Sequence, residues 1–325
     1  MQVIRDITTL TPDTPVALTV GVFDGIHLGH QHLIRQAAQA ATALGGKAGM
    51  ITFWPHPLEV LHPERNVSYL TMLEEKLDLL AKLGTLDLVV VLPFTPKLSQ
   101  TSASGFVDLL TSHLALRVLV EGADFVFGHN REGNMAYLRA YGETHGFAVQ
   151  TVDLQVADHQ RISSTTIRAL LADGQVGAAM TLLGRPYSAR GRVIYGDQRG
   201  RLMGFPTANL KIDPQKILPA DGVYAARVRV GNSIYHGAAN IGVRPTVDGT
   251  RHLTEVHVLD VQQDFYGKEL ELQFIARLRG EQRFAGIEAL QAQIAADVQQ
   301  ARAVLGRYAE RESERGESGE RALEV

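Results

Sequence analysis

Short apolar runs and amphipathic stretches alternate along the first half of the chain. Residues 16–20 are mostly apolar and stop at Gly21, the pattern of a buried strand ending in a tight turn. Residues 30–44 carry Leu33, Ile34, Ala37, Ala38 and Ala41 at helical spacing and end at Gly45-Gly46, a helix with its stop signal. A second strand is predicted over 48–53. Leu73, Leu77, Leu80 and Leu83 share a helical face, and the spacing of Thr71 to Glu74 just before them fits a capping box. Strands over 86–92, 117–121 and 147–154, and helices over 104–114, 135–145, 165–172 and 175–183, continue the series. Strands regularly separated by helices predict a parallel sheet covered on both faces.

Past Gly184 the period changes. Residues 188–195, 223–230, 234–240, 252–259 and 270–278 carry strand-like alternation or β-branched content, punctuated by Gly, Asn, Asp and Pro. This half predicts a small antiparallel barrel or sandwich, closed by one helix over 287–305. The fold class is therefore α/β, with domains over 1–183 and 184–306 divided near Gly184-Arg185-Pro186 by the change of pattern alone. Residues 307–325 are rich in Glu, Arg, Ser and Gly with almost no apolar content, which predicts a frayed or disordered tail.

Composition narrows the function. A chain of 325 residues, 45% hydrophobic and 21% charged, has enough apolar content for two cores. Lys and Arg number 32 against 35 Asp and Glu, a net charge of −3, so no broad basic footprint points to nucleic acid or to an anionic membrane. With no cysteine, disulfides, thiolate nucleophiles and cysteine-ligated metal centres are excluded. The first ten residues lack the apolar core of a signal peptide. The longest apolar run, 88–92, is far below the about 18 residues of a membrane span. A cytoplasmic location is the expectation.

The first chemical signal is Gly21-Val-Phe23-Asp24-Gly25-Ile-His27-Leu-Gly-His30, where the first strand gives way to the first helix. Gly21 and Gly25 permit tight turns and close backbone approach, and a helix N-terminus is a natural phosphate site. His27 and His30, three apart, can lie on one face of the opening turn, with room left beside them by Gly29. Two such donors can hold a triphosphate and stabilise charge on an α-phosphate. Ordinary capping or surface histidines would explain one imidazole, but not the whole string. A zinc pair would need His56 or Asp24 to complete it, and no usual zinc spacing is present. Arg161-Ile-Ser163-Ser164-Thr165-Thr-Ile-Arg168 is the second signal. Ser164 or a neighbour can cap the helix beginning near Thr165, and Arg168 in its first turn can reach a phosphate.

In the second half, Gly191, Gly196, Gly200 and Gly204 punctuate a string that ends in Gly204-Phe-Pro-Thr207-Ala-Asn209. The glycines permit a mobile loop that can wrap phosphates, although the lysine of a P-loop is missing. Gly-rich turns between strands are the plain alternative for the glycines alone. Thr207 offers a hydroxyl suited to Mg²⁺ and Asn209 an amide. Alternation places Leu253, Glu255 and His257 on one strand face and Thr254, Val256 and Val258 on the other. Glu255 can there accept a proton from an attacking hydroxyl; a solvated edge-strand acid is the alternative.

The HxGH string, followed by ISSTxIR at the end of the same domain, resembles the nucleotidyltransferase superfamily. The longer string GVFDGIHLGHQHLI is similar to the adenylyltransferase half of bacterial bifunctional riboflavin kinase/FAD synthetases. Thr52-Phe-Trp-Pro-His56-Pro57, the segment from Phe94 to Ser99, and Gly122-Ala-Asp124-Phe-Val-Phe127-Gly128 carry the same likeness. The second half resembles the riboflavin kinase domain through GFPTANL, Gly222-Val-Tyr, the segment from Ala239 to Thr246, Glu255-Val-His and Asp264-Phe-Tyr-Gly267. Trp54, Val126, Asn134 and Val243 depart from the family pattern, which leaves the His, Ser/Thr, PTAN and Glu positions intact.

The resemblance spans about residues 14–306. It implies a Rossmann-like nucleotidyltransferase domain with a parallel sheet, joined to a six-stranded antiparallel β-barrel with a closing helix. It implies ATP binding by Gly21, Phe23, Asp24, Gly25, Arg161, Ser163, Ser164, Thr165 and Arg168, with His27 and His30 catalytic. His56, Asp124 and Phe127 become flavin-binding candidates. In the kinase half, Gly191, Gly200, Gly204, Thr207 and Asn209 would bind nucleotide, Thr207 and Asn209 would hold Mg²⁺, and Glu255 would be the base. The implied ligands are riboflavin, FMN, FAD, ATP, ADP and pyrophosphate.

Overall fold

The computed structural model describes residues 1–153, 156–157, 160–196, 200, 203–246 and 249–321; side chains at 156–157, 160–161, 243–246, 249–252 and 315–321 are outside the description. The chain forms two compact units, Met1–Thr166 and Ile167–Val325.

The first unit runs β1 (Gln2–Ile4), β2 (Pro15–Val20), α1 (Leu28–Leu44), β3 (Lys47–Trp54), α2 (Pro57–Leu61), α3 (Leu73–Leu83), β4 (Leu88–Pro93), α4 (Pro96–Ser99), α5 (Ala103–His113), β5 (Ala115–Gly122), β6 (Val126–Phe127), β7 (Gly133–Asn134), α6 (Met135–His145), β8 (Ala148–Val152), β9 (Val156–Ala157) and β10 (Gln160–Arg161). Six strands form one parallel sheet in the order β1-β4-β3-β2-β5-β8. From β2 the chain winds one way through β3 and β4, then returns to the other side of β2 with β5 and β8. The switch in direction therefore lies between β2 and β5, where open α/β sheets bind ligands at the strands' carboxyl ends.

Period-two alternation explains why these strands read as continuous apolar runs. Ala17, Met50 and Val89 face one core with Ile34, Leu77 and Leu80, while Leu18, Ile51 and Val90 face the other with Phe106, Leu110 and Leu138. Both faces are covered, as a parallel sheet requires. One cap differs from its expected place. α3 is capped one residue later, where the Glu75 carboxylate accepts the Met72 N–H at 2.9 Å, because Thr71 is engaged by Asp24 instead.

α7 (Ser164–Ala172) ends the first unit and begins the second, which continues with α8 (Val176–Leu183), β11 (Tyr187–Ile194), β12 (Ala208–Ile212), β13 (Gly222–Val230), β14 (Ser233–Thr246), β15 (Gly249–Val258), β16 (Glu269–Arg279) and α9 (Ile287–Arg321). The six strands close an antiparallel barrel in the order β11-β12-β15-β14-β13-β16. Val298, Ala301 and Leu305 of α9 are buried, the last two against Ala225 and Ile275. The division falls between Thr166 and Ile167, upstream of the boundary expected at 183/184. The reason is packing: α8 lies on β11 and β16, and the Leu171 carbonyl accepts the Ala220 N–H at 2.9 Å. Of the expected tail over 307–325, residues 307–321 are described. α9 continues through 307–321, with Tyr308 packed on the same cluster as Leu305 and Glu312 paired with Arg227.

Candidate active sites

The first site grows from the end of β2. Pairing of β2 with β5 stops at Leu18 and Leu119. Beyond it the Val20 N–H donates to the Glu121 carboxyl at 2.6 Å, so a side chain replaces the ladder where the strands part. Burial pushes the Glu121 carboxyl well above the usual carboxylate range, opposed by that hydrogen bond. The chain then turns through Phe23 at φ +50°, Gly25 at +86° and Ile26 at +41°. A left-handed backbone is costly for Phe and more so for β-branched Ile. His27 ends the turn as the N-cap of α1, its Nδ1 accepting the His30 N–H at 3.2 Å. The proton of a neutral His27 ring therefore sits on Nε2.

The His27 and His30 rings stack with centroids 3.5 Å apart and planes 17° from parallel. Imidazole lone pairs lie in the ring plane, so two stacked rings cannot aim both at one ion. This excludes the zinc-chelate alternative in this arrangement. The Phe23 ring meets His30 edge-on at 5.0 Å. A Cβ on Gly21 would lie 3.0 Å from the Phe23 ring, and one on Gly29 would lie 3.2 Å from the His27 ring. Both glycines make room for the aromatic group beside them.

Among the described residues the second motif meets the first where the Ser164 hydroxyl donates to the Asp24 carbonyl at 2.8 Å. The cap of α7 is Ser163, whose hydroxyl accepts the Thr166 N–H at 3.1 Å, which leaves Ser164 for this contact. Thr165 is exposed and Arg168 follows one turn along α7. Arg161 lies on β10, and its side chain is outside the described residues.

Asp24, His56 and Phe127 also make contacts within the protein. The buried Asp24 carboxylate accepts the N–H groups of Leu70 and Thr71 at 3.0 and 2.9 Å and the Thr71 hydroxyl at 3.1 Å. Gly25 N–H donates to Thr71 Oγ1 at 3.0 Å. His56 caps α2, accepting the Leu58 N–H at 3.1 Å. Phe127 packs among Phe106, Phe125 and Tyr137, and Asp124 is exposed in the loop after β5.

Lys76 escaped the sequence reading. It is 1% exposed on α3 and donates to the Val22 carbonyl at 2.7 Å and to Thr52 Oγ1 at 3.2 Å. Burial pulls its ammonium down to about 8, against the attraction of Asp24. The available signal was its position, three after Leu73 and four before Leu80 on the buried helix face.

The barrel site needs no irregular backbone at its centre. Glu255 on β15 lies opposite Asn209 on β12 and Asn240 on β14. Leu253, Glu255 and His257 line a cavity of about 490 Å³ together with Thr207 and Asn209, while Thr254, Val256 and Val258 are buried on the other face. This is the alternation expected of the strand. His257 Nδ1 donates to the Pro206 carbonyl at 2.8 Å, which ties the Phe205-Pro206-Thr207 segment to β15. A Cβ on Gly196 would lie 2.3 Å from the Asn209 amide, and one on Gly200 would lie 2.4 Å from the Phe205 carbonyl. Gly204 turns at φ +85°.

Gly191 is a strand residue. It sits inside β11, opposite Ile212 and Leu270, where a Cβ would lie 2.8 Å from Ile212. Its lack of a Cβ permits this close strand packing. Arg279, which also lines the cavity, makes two-pronged contacts of 3.0 and 2.8 Å to Asp297 on α9. The cavity's hydroxyl, amide oxygen and neighbouring carboxylate are hard oxygen donors, a set that fits Mg²⁺.

Comparison with known proteins assigns a family to each half of the chain. Residues 10–166 match the FAD synthetase family model, and residues 183–305 match the riboflavin kinase model. The chain thus joins two nucleotide-dependent transferase modules. It is 41% identical over 90% of its length to a bifunctional riboflavin kinase/FMN adenylyltransferase of Listeria monocytogenes, covering 93% of that protein. It is 40% identical over 94% of its length to the Escherichia coli K12 protein so described, covering 98% of it. The chain belongs to the bifunctional riboflavin kinase/FMN adenylyltransferase family. A crystal structure of a Streptococcus pneumoniae protein described as a macrolide-efflux protein shares 30% identity and a TM-score of 0.86, with coverage of 93% of this chain and 98% of that one. Among the described residues no helix is long and apolar enough to cross a membrane.

Proposed function

We propose that the barrel transfers the γ-phosphoryl group of ATP to the ribityl 5′-hydroxyl of riboflavin, and that the sheet unit then joins the resulting FMN to the AMP moiety of a second ATP. In the first step the hydroxyl oxygen attacks the γ-phosphorus, Glu255 takes its proton, the bond to the β,γ-bridging oxygen breaks, and ADP leaves. Thr207 and Asn209 would hold Mg²⁺, which when bound neutralises phosphate charge. His257 and the glycines fix the segment that carries Thr207.

In the second step an FMN phosphate oxygen attacks the α-phosphorus, the bond to the α,β-bridging oxygen breaks, and pyrophosphate leaves. No protein nucleophile is required. The unit positions the reactants and stabilises charge through His27, His30 and the N-terminus of α1, with Arg168 and Arg161 as further cationic candidates. Gly21, Phe23 and Gly25 shape the loop around the phosphates, while Asp24 acts from beneath it. Asp124, His56 and Phe127 remain candidates for the flavin side. ATP is the cytoplasmic phosphoryl donor, which supports a cytoplasmic enzyme.

The observation that carries this reading is the Ser164–Asp24 hydrogen bond, which joins the two distant motifs of the adenylyltransferase at one loop. The test is to incubate the chain with riboflavin, ATP and Mg²⁺ and separate the flavins by chromatography. FMN should appear first and FAD after it, and supplied FMN should give FAD alone. A failure of either product would remove the corresponding site assignment.

A further inference from the structure

We propose that Lys76 is a positioning residue for adenylyl transfer, setting His30 through the Val22 carbonyl and the Phe23 ring. The inference rests on the reading that His27 and His30 serve that reaction. The Val22 carbonyl accepts from two buried donors at once, Lys76 Nζ at 2.7 Å and Thr52 Oγ1 at 3.0 Å. The two donors are themselves linked, Lys76 to Thr52 at 3.2 Å. This fixes the peptide plane that precedes Phe23.

On the other side of Phe23 the chain is held through the Asp24 carboxylate, by Leu70 and Thr71. Phe23 is thereby kept at φ +50°, a conformation that persists only when its surroundings over-determine it. Ile26 at +41° is held in the same way, between the Gly25 N–H on Thr71 and its own carbonyl on Gln31 Nε2 at 3.0 Å. The strained Phe23 places its ring over Gly21 and edge-on to His30, and His30 stacks on His27. An unbroken series of contacts thus leads from an inaccessible lysine on α3 to the imidazole pair.

A lysine that merely filled space would be replaceable by methionine. A lysine that holds the turn would not, because Lys76→Met frees the Val22 peptide to relax and moves the ring under His30. Small displacements of positioned groups cost up to about a hundredfold in rate.

The test measures FAD formation from supplied FMN and ATP by the full chain, for Lys76→Met, Thr52→Val and Thr52→Ser, each alone and in a His30→Ala background. Trp54, the one tryptophan of the chain, reports folding of the first unit by its emission. Lys76→Met should lower kcat by about tenfold or more, with the KM for FMN little changed. Thr52→Val should lower kcat less, and Thr52→Ser, which keeps the hydroxyl, should recover most of that loss. In the His30→Ala background neither Lys76→Met nor Thr52→Val should add more than about twofold, because coupled residues are not additive.

Natively emitting Lys76→Met with kcat within threefold of wild type would overturn the proposal. So would an equal loss in both backgrounds, which would mean that Lys76 acts elsewhere. If Lys76→Met loses native emission, the Thr52 pair decides by the same criteria. An unimpaired His30→Ala enzyme would instead overturn the histidine reading itself, and the route through His30 with it.

Discussion

The two sites of this chain are built in opposite ways. In the sheet unit the candidate groups sit on a turn with two non-glycine residues at positive φ, and buried side chains from α3, β3 and the 70–71 segment hold that turn. In the barrel, Asn209 and Glu255 project from paired positions of adjoining strands, where register alone brings them together. Strand register resists small changes because a slip would move every side chain to the other face. A strained turn has no such protection and depends on each contact beneath it. The difference implies that damage to the barrel reaction should be confined to groups facing its cavity, whereas the adenylyl reaction should also feel substitutions one layer down.

The largest effect that would sharpen this contrast is expected from Glu255→Gln, which keeps the shape but accepts no proton at neutral pH. FMN formation should lose about 10²–10⁴-fold, the usual worth of general-base assistance. The loss should fall on kcat with little change in the KM for riboflavin. A rate within threefold of wild type at saturating ATP would reduce Glu255 to a strand acid.

Next in size is His30→Ala or His27→Ala, expected to lower FAD formation by about 10²-fold, the scale of one lost stabiliser of transition-state charge. FMN formation should stay near wild type. Equal loss of both products by a folded variant would break the assignment of the activities to separate units. Thr207→Val comes third: it keeps the branched shape and removes a hydroxyl, so the Mg²⁺ and ATP needed for half-maximal kinase rate should rise. Unchanged Mg²⁺ dependence would remove Thr207 from the metal's shell, and adenylation of supplied FMN provides the internal control.

The contrast also explains what was legible in the sequence. Barrel-site geometry follows from period-two alternation, so Glu255 and His257 could be placed on the cavity face by counting. The parallel sheet was equally readable, because Leu18 and Ile51 alternate between two cores with Ala17 and Met50. The exchange of roles within the loop was not readable. Asp24 in a phosphate-loop string looks like a ligand group, but its carboxylate is turned inward to two N–H groups. Ser163 and Ser164 are indistinguishable as caps until the fold brings the Asp24 carbonyl to Ser164. Lys76 was hidden for a similar reason: its place on the apolar helix face marks it for burial, but only the long-range approach of Val22 supplies its acceptor. β12 was missed because the PTAN motif, read for its chemistry, concealed a strand in Ala208–Ile212.

The smallest effect concerns the end of α9, where composition and structure disagree most. Residues 307–314 carry two groups that dock. Tyr308 packs beside Leu305 and lies under the Arg227 guanidinium at 5.7 Å. Its hydroxyl donates to Glu312 at 3.0 Å, and Glu312 pairs with Arg227 in turn. Glu312 is half exposed, with 50% of its side chain accessible, so the ion pair should contribute no more than about 1 kcal/mol. The cation–π contact adds about 0.5–1 kcal/mol at such a site. A chain ending at 306 should therefore unfold its barrel at a lower denaturant midpoint than one ending at 314, with about 1–2 kcal/mol less stability. Tyr308→Ala should account for most of that difference and Glu312→Gln for a few tenths of it. Far-UV dichroism should register the shift, while Trp54 emission, which reports the sheet unit, should not. Because neither residue lines the cavity, kcat of the folded kinase should stay at wild type. Equal midpoints for the two truncated chains would show that the last turns of α9 do not hold to the barrel in solution, and would return 307–314 to the frayed state that their composition suggests.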